Sequence, residues 1–234
     1  MSFPLFYIEE FLPGTLQLIL NEDTSNHIIR VLRMKQGEQL QLTNGKGKVF
    51  TCEIISEHKK YTEVKILSTS NIVQRTINTA IAISLIKNNS RFEWFLEKAT
   101  EIGVSEIIPL ICQHTEKQHF KHDRMKNIVV SAMLQSQQAW LPLLHEPVKF
   151  TEFIKKSSHQ NKYIAHCMET QKKQLGKEAV QLSDVQILIG PEGDFTKEEI
   201  ELALQNNYIP VSLGETRLRT ETAGLVAAVL LLNR

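Results

Sequence analysis

Val185-Gln-Ile-Leu-Ile-Gly190-Pro-Glu-Gly193-Asp194, followed after Phe195 by Thr196-Lys-Glu-Glu199, decides how the rest of the chain is read. Val185 to Ile189 is a short apolar run of the kind that forms a buried parallel strand. Two glycines and a proline then force a turn. Thr196 with Glu199 three residues on predicts a capping box and a helix start. The pattern repeats at once. Ile209 to Leu213 reads as a second strand ending in Gly214, Glu215 to Arg219 as a second loop, and Ala223 to Leu232 as an apolar helix opened by Thr220-Glu221-Thr222. Two glycine loops at the carboxyl ends of neighbouring strands predict the crevice in which open α/β sheets hold ligands. Glycine there lets main chain approach a ligand closely.

Working outward, Tyr163 to Met168 is a third apolar run, whose end, His166-Cys167-Met168, is expected at the same crevice. Ile77 to Ile86 and Ile107 to Ile111 are further buried strands. Between them a helix is striped by Phe92, Phe95, Leu96 and Ala99, opened by a Ser90/Glu93 capping box and stopped at Gly103. Met125, Ile128, Val129, Ala132, Met133 and Ser136 mark a long amphipathic helix closed by Trp140-Leu-Pro142. This βαβ rhythm gives residues 74–234 an α/β fold. Residues 1–70 read differently. Phe3 to Ile8 and Leu16 to Leu20, separated by Pro13-Gly14, alternate strands with a helix capped by Asn21 and running to Met34. Gln39 to Thr43, Asn44-Gly45 and Val49 to Ile55 form a hairpin, and Tyr61 to Leu67 alternates again. Short strands with one helix suggest a small β-barrel. The polar, aperiodic stretch 68–76 is placed between the two domains.

The whole chain sets bounds on function. With 234 residues, 42% hydrophobic and 23% charged, it has the composition of an ordinary globular protein. Its net charge of +1 supplies no global field for a polyanion, so RNA contact requires a local patch. Arg30, Arg33 and Lys35, close together on the first helix, suit either such a patch or a solvated face. Cys52, Cys112 and Cys167 lie far apart without a CxxC pair, which argues against a metal site or disulfides and fits a cytoplasmic location. Cys167 is expected to be a buried small residue. His114, His119 and His122, in a polar loop from Gln113 to Lys126, lack cysteine or carboxylate partners at ligand spacing and read as surface or RNA-facing. Glu9-Glu10 interrupt the N-terminal apolar stretch, so no signal peptide is expected, and no apolar run is long enough to span a membrane. There is no P-loop, no GxGxxG after the first α/β strand and no GxSxG elbow.

Leu188-Ile-Gly-Pro-Glu-Gly193 with Glu-Glu-Ile200, then Leu213-Gly214 and Leu218-Arg-Thr-Glu-Thr-Ala223, resembles the RsmE family of 16S rRNA uridine-N3 methyltransferases, within the SPOUT superfamily. Glu97-Lys98-Ala-Thr-Glu101-Ile-Gly103-Val with Pro109-Leu, and His27-Ile-Ile-Arg30-Val-Leu-Arg33-Met34 with Gly37, extend the resemblance over nearly the whole chain. It implies an N-terminal PUA-like barrel for RNA binding and a C-terminal SPOUT-type domain whose trefoil knot binds S-adenosylmethionine. It also implies a homodimer and methylation of one uridine in the small ribosomal subunit. Carried over residue by residue, the cofactor would meet His166 and Cys167, the segment from Leu188 and Ile189 through Gly190, Pro191, Glu192 and Gly193, then Leu213, Gly214, Leu218, Thr220, Thr222 and Ala223. Arg219 would stabilise the uracil anion and Glu221 would be the candidate base. Arg91 and Lys98 join Arg30, Arg33 and Lys35 as RNA contacts. The chain departs from the family at Asp194, where a second glycine is usual, at Glu215, where proline is usual, and at Leu134-Gln-Ser-Gln-Gln138, where an arginine commonly stands. A non-catalytic RNA-binding protein, or a methyltransferase of another RNA or base atom, is the rival reading.

Overall fold

Residues 3–9, 14–116, 118–178 and 183–232 are described by the computed structural model. Glu10 and Pro13, used above to break up the N-terminal stretch, lie outside them. The chain divides into two units, one of residues 1–74 with 133–141 and one of residues 75–132 with 142–234.

In the first unit, β1 (Leu5–Tyr7), β2 (Gln17–Ile19), β3 (Gln39–Thr43), β4 (Lys48–Ser56) and β5 (Glu63–Asn71) form one sheet in the order β1-β3-β4-β5-β2. β1 runs parallel to β3, and the other pairs are antiparallel. Register shifts at Thr51/Cys52 and Ile54/Ser56 bend the long β4–β5 ribbon. Phe6, Leu40, Leu42, Phe50, Ile54 and Val64, from four strands, meet Ile28 and Met34 in one core, so the sheet curls over a single interior. β5 extends to Asn71, through residues expected to be a connection. Alternation there gives way to solvent-exposed polar residues that still satisfy the ladder with β4.

The expected helix to Met34 is shorter and irregular. Asn21 caps α1 (Glu22–Asn26) by accepting the Thr24 N–H, and the chain then widens into a π-helical turn, His27–Val31. Arg33 turns out of it with φ 56°, which a continuing helix cannot accommodate. Segment 133–141 also belongs to this unit, although periodicity assigned it to the α/β part. Trp140 explains the allegiance. Its indole N–H donates to the Ile72 carbonyl, and its ring lies so close to Gly47 that a Cβ there would fall 2.4 Å away.

The second unit carries β6 (Asn78–Ser84), α2 (Asn89–Ile102), β7 (Glu106–Ile111) and α3 (His122–Gln135), whose last residues fall in the first unit. Next come β8 (Leu143–Leu144), β9 (Val148–Lys149), α4 (Phe150–Lys156), β10 (Asn161–Ala165), β11 (Lys173–Gln174) and α5 (Leu175–Glu178). Then follow β12 (Asp184–Ile189), α6 (Lys197–Gln205), β13 (Ile209–Ser212) and α7 (Thr220–Leu232). The strands order as β11-β13-β10-β12-β6-β7-β8, with β9 also on β7, and every pair is parallel. A central strand in such a sheet must be apolar on both faces, and Ile81, Ile83, Ile187, Leu188 and Ile164 are all fully or almost fully buried.

Helix ends follow local chemistry. Thr196 and Glu199 form the expected capping box, and Glu199 also accepts the Gln113 N–H with its other oxygen. The box expected at Ser90 and Glu93 does not form. Asn88 caps α2 instead, accepting the Ser90 N–H, and leaves Glu93 free to pair with Arg124 at 2.8 and 3.1 Å. Gly103 ends α2 at φ 95° as expected. His114 and His122 spend ring nitrogens on the carbonyls of Asp194 and Leu144, so two of the three loop histidines hold main chain in place.

α7 seats against α2 and β6. Its contact point is Gly224, where a Cβ would lie 2.7 Å from the Phe95 ring and 2.8 Å from the Ile83 methyl. Gly224→Val is therefore expected to cost roughly 1–3 kcal/mol by overpacking and to lower the thermal midpoint by several degrees. A midpoint equal to that of the native chain would show that the helix is not fixed at this seat.

At the opposite, amino-terminal edge of the sheet, Asn78 donates to both Glu106 and Asp184, His145 pairs with Glu106 at 3.2 Å and His159 with Asp184 at 2.7 Å. The His145 hydrogen bond, opposed by burial and aided by Asn78, holds Glu106 below the usual carboxylate range. Burial pulls Asp184 upward, but the Gln160 N–H, His159 and Asn78 outweigh it and lower it too. A carboxylate depressed in the folded state stabilises above its unfolded value and loses that contribution as pH falls through the folded one. Stability should thus fall with pH below about 4, and the double variant E106Q/D184N should flatten that limb in acid titrations followed by circular dichroism. An identical acid limb in the variant would remove the cluster from the account.

Candidate active site

Three adjacent parallel strands, β13, β10 and β12, end level with one another, because Ala165 registers with Ile189 on one side and Val211 on the other. Their continuations form three walls of a cavity of about 670 Å³. Ala165, His166 and Cys167 make the first, Ile189 to Glu192 with Asp194 the second, and Val211 to Gly214 the third. The loop Glu215–Arg219, with Thr220 and Ala223 of α7, crosses the top. This is the size of a pocket for a drug-sized ligand, rimmed by main chain that strand pairing no longer occupies.

Most residues assigned above to the cofactor are brought together here: His166, Cys167, Ile189, Gly190, Pro191, Glu192, Leu213, Gly214, Leu218, Thr220 and Ala223 all line the cavity. Leu188 is fully buried one layer below, in the core. Gly193 lies in an adjoining recess with His114 and Glu192. Thr222 is half-buried and absent from the lining. Cys167 is exposed rather than buried, because β10 ends at Ala165, short of the expected Met168. Lys172 and Asp194 also line the cavity, and nothing in the aperiodic stretch around Lys172 marked it in advance.

The glycines divide by purpose. A Cβ on Gly190 would meet the Phe195 ring at 3.1 Å and its N–H at 3.2 Å, and one on Gly193 would meet the His114 side chain at 3.3 Å. Both are small because protein packs on them. Gly214 alone of the three, at φ 155°, would project a Cβ into open space. Asp194, in the usual glycine position, does adopt the left-handed conformation at φ 65°. Its own carboxylate makes this tenable, accepting the Cys167 N–H at 2.8 Å and the Phe195 N–H at 2.9 Å.

Charge is distributed unevenly. Arg219 is exposed on the crossing loop, and its side chain carries no hydrogen bond or ion pair among the described residues. Glu221 does not line the cavity; it is buried, with one oxygen 3.7 Å from Arg91 Nε and the other, Oε2, without a partner among the described residues. His166 is also buried, its Nδ1 unpartnered. Burial, and after it the Lys172 ammonium, push its imidazole below the usual histidine range against the pull of Asp194, so it is neutral near pH 7. Away from the cavity, Lys98 is held by Glu97 and Glu101 at 2.7 and 2.8 Å. In the first unit, Lys35 lies 3.6 Å from Glu57, whereas Arg30 and Arg33 are exposed without partners among the described residues.

These features suit S-adenosylmethionine. The cavity offers main chain at three strand ends, open space over Gly214, a buried imidazole with an unpartnered Nδ1 and both signs of charge. Among the described residues, no cluster of histidine, cysteine and carboxylates has metal-ligating geometry, and no helix is long and apolar enough to cross a membrane.

Residues 73–232 match the RNA methyltransferase domain family and residues 20–67 the RNA methyltransferase PUA domain family. The chain is 28% identical to the ribosomal RNA small subunit methyltransferase E of Rickettsia conorii, over 97% of this chain and 94% of that one. A probable rRNA methyltransferase from Porphyromonas gingivalis superposes with a TM-score of 0.90 at 37% identity, covering 98% of both chains. The ribosomal RNA small subunit methyltransferase E of Neisseria gonorrhoeae, solved bound to S-adenosylmethionine, superposes at 0.89 and 28% identity over 99% and 98% of the two chains. With its whole length matched and its motif loops assembled into one cavity, the chain belongs to the RsmE family of RNA methyltransferases.

Proposed function

We propose that this protein transfers the methyl group of S-adenosylmethionine to N3 of one uridine in small-subunit ribosomal RNA. The observation that carries the reading is the convergence of three level strand ends and the crossing loop on a single cavity with an uncommitted arginine at its rim. S-adenosylmethionine supplies a methyl group already activated on cationic sulfur and departs as a neutral thioether. What the protein must supply is orientation, and help for the base in losing its N3 proton. Arg219 suits the second task. A guanidinium cannot act as a base, but its planar fork can hold the negative charge that N3 and O4 share once the proton leaves. Glu221, the carboxylate proposed to take the proton, does not line the cavity, and in this role its unpartnered Oε2 has to swing from beside Arg91 toward the bound base. The target base must leave its stack to reach this cavity.

Residues 1–70 act in this reading as a PUA-like RNA-binding domain, and residues 74–234 as the methyltransferase domain with a trefoil knot near its end. The path of the chain supports the knot: β13 lies beyond β10 and β12, yet α7 packs on β6, so residues 214–219 cross the carboxyl ends of the strands between. A homodimer is supported by the outer face of α7, where Leu225, Val226 and Val229 remain half-buried or exposed and would gain from a second copy. A cytoplasmic location follows from the ribosomal substrate. Arg30 and Arg33 are the cations with charge to spare for RNA phosphate, whereas Lys98 is neutralised by two carboxylates.

Arg219→Ala should leave folding and S-adenosylmethionine binding intact while slowing single-turnover methylation of small subunits on the order of 100- to 1,000-fold. Arg219→Lys should not restore the rate, since a point charge lacks the fork. As a parallel arm, Glu221→Gln should slow transfer while leaving S-adenosylmethionine binding intact. Near-native turnover in Arg219→Ala would overturn the mechanism, and a protein that never methylates the subunit would instead support a docking role.

Replacing Arg30 and Arg33 together by alanine should weaken RNA binding and flatten its salt dependence by roughly one unit of slope per lost contact, with cofactor affinity unchanged. A salt slope equal to that of the native protein would make this helix face an ordinary solvated surface.

A further inference from the structure

Among the cations around the cavity, Lys172 is set apart by its surroundings. Its neighbour Lys173 turns to Glu178 and forms an ion pair at 2.8 Å. Elsewhere in the unit, Lys87 and Lys98 likewise spend their ammonium groups on carboxylates. Lys172 is half-buried in the cavity wall, and its one hydrogen bond among the described residues is donated by the ammonium to the neutral carbonyl of His166 at 2.7 Å. That bond fixes the charge at the end of β10 and leaves two of three N–H groups unspent. A half-buried ammonium without an anion forfeits hydration for little return, which is the signature of a charge kept for a ligand.

Of the acidic groups that line the cavity, Glu215 is exposed on the crossing loop and the other two are engaged. Both oxygens of Asp194 accept main-chain N–H groups, and a Glu192 oxygen accepts the Lys87 N–H. Arg217 and Arg219 share the exposed crossing loop, where solvent screens them. Building on the reading of this cavity as the S-adenosylmethionine site, we infer that Lys172 holds the α-carboxylate of the cofactor's methionine part and so selects for ligands that carry it. S-adenosylmethionine brings two positive groups and one carboxylate, and only the carboxylate complements this ammonium. A fixed cation at one end of the cavity would orient the ligand along it, with the adenosyl part toward the glycine loops. The low imidazole pKa of His166, to which Lys172 contributes, is in keeping with a cation directed at this wall rather than at solvent.

The test compares S-adenosylmethionine with decarboxylated S-adenosylmethionine, which keeps the sulfonium and the amine and lacks only the carboxylate. Calorimetry on the native full chain should show tighter binding of the carboxylate-bearing ligand. In Lys172→Met, which keeps the length of the stem, its affinity should fall about 10- to 100-fold, while that of the decarboxylated ligand stays within about twofold. Lys172→Arg should retain most of the preference. Thermal midpoints of the variants control for a disturbed His166 carbonyl. Equal losses for both ligands would overturn the inference, making Lys172 part of the wall only. Unchanged affinities with a reduced salt slope for RNA would also overturn it, and assign the charge to a phosphate. Failure of the native protein to bind either ligand is a different result, which removes the cofactor reading of the cavity along with the inference.

Discussion

The seat of α7 on β6 and α2 is the constraint on which the cavity depends. The helix begins at Thr220, directly after the loop that carries Arg217 and Arg219, so its position fixes where that loop crosses the strand ends. Close approach is possible because Gly224 has no side chain where Phe95 and Ile83 meet the helix. The buried positions of α7, Thr220, Glu221, Gly224, Ala227, Ala228 and Leu231, recur at three- and four-residue intervals and form one stripe. The small residues in this stripe, Gly224, Ala227 and Ala228, settle the middle of the helix at short distance without bulky interdigitation. The loop before it inherits that precision, although its own residues are largely exposed.

Much of this was legible from residue types. Apolar runs located β6, β7, β10, β12 and β13, because a parallel strand covered on both faces is mostly apolar. The capping box at Thr196 and Glu199 was readable for a different reason: its chemistry is complete within four residues. Where a cap competes with a neighbour, local reading failed. Asn88 displaced Ser90 since its side chain reaches the Ser90 N–H, and the Arg124 that occupies Glu93 is thirty-one residues away. Segment 133–141 followed Trp140 into the first unit for the same reason. The partners that decided it, Gly47 and Ile72, are invisible to a periodicity.

The glycines show how a correct location can carry an incomplete cause. Gly190, Gly193 and Gly214 do stand at the cavity or beside it, as their spacing after the strands implied. Yet Phe195 and His114 account for the first two, and the open space over Gly214 accounts for the third alone. A turn glycine admits either explanation in a sequence, since both require the same missing Cβ. Only the atom that would be struck separates them.

Charge partnering is the property least accessible to sequence and most informative about the site. Arg219 and Lys172 differ little in type from Arg124 and Lys98, and all four sit in polar surroundings along the chain. Folding gives Arg124 and Lys98 carboxylates within hydrogen-bonding distance and denies them to the other two. A cation paired within the protein contributes little field to a ligand, whereas one left without an anion contributes more, and half-buried Lys172 is screened less by solvent than exposed Arg219. Lys172, whose ammonium is held at the His166 carbonyl just beyond β10, and Arg219, on the crossing loop with Arg217, stand on different walls. A ligand with a carboxylate at one end and a reacting partner at the other can use both at once. The level strand ends keep the first cation in place, and the seat of α7 keeps the second.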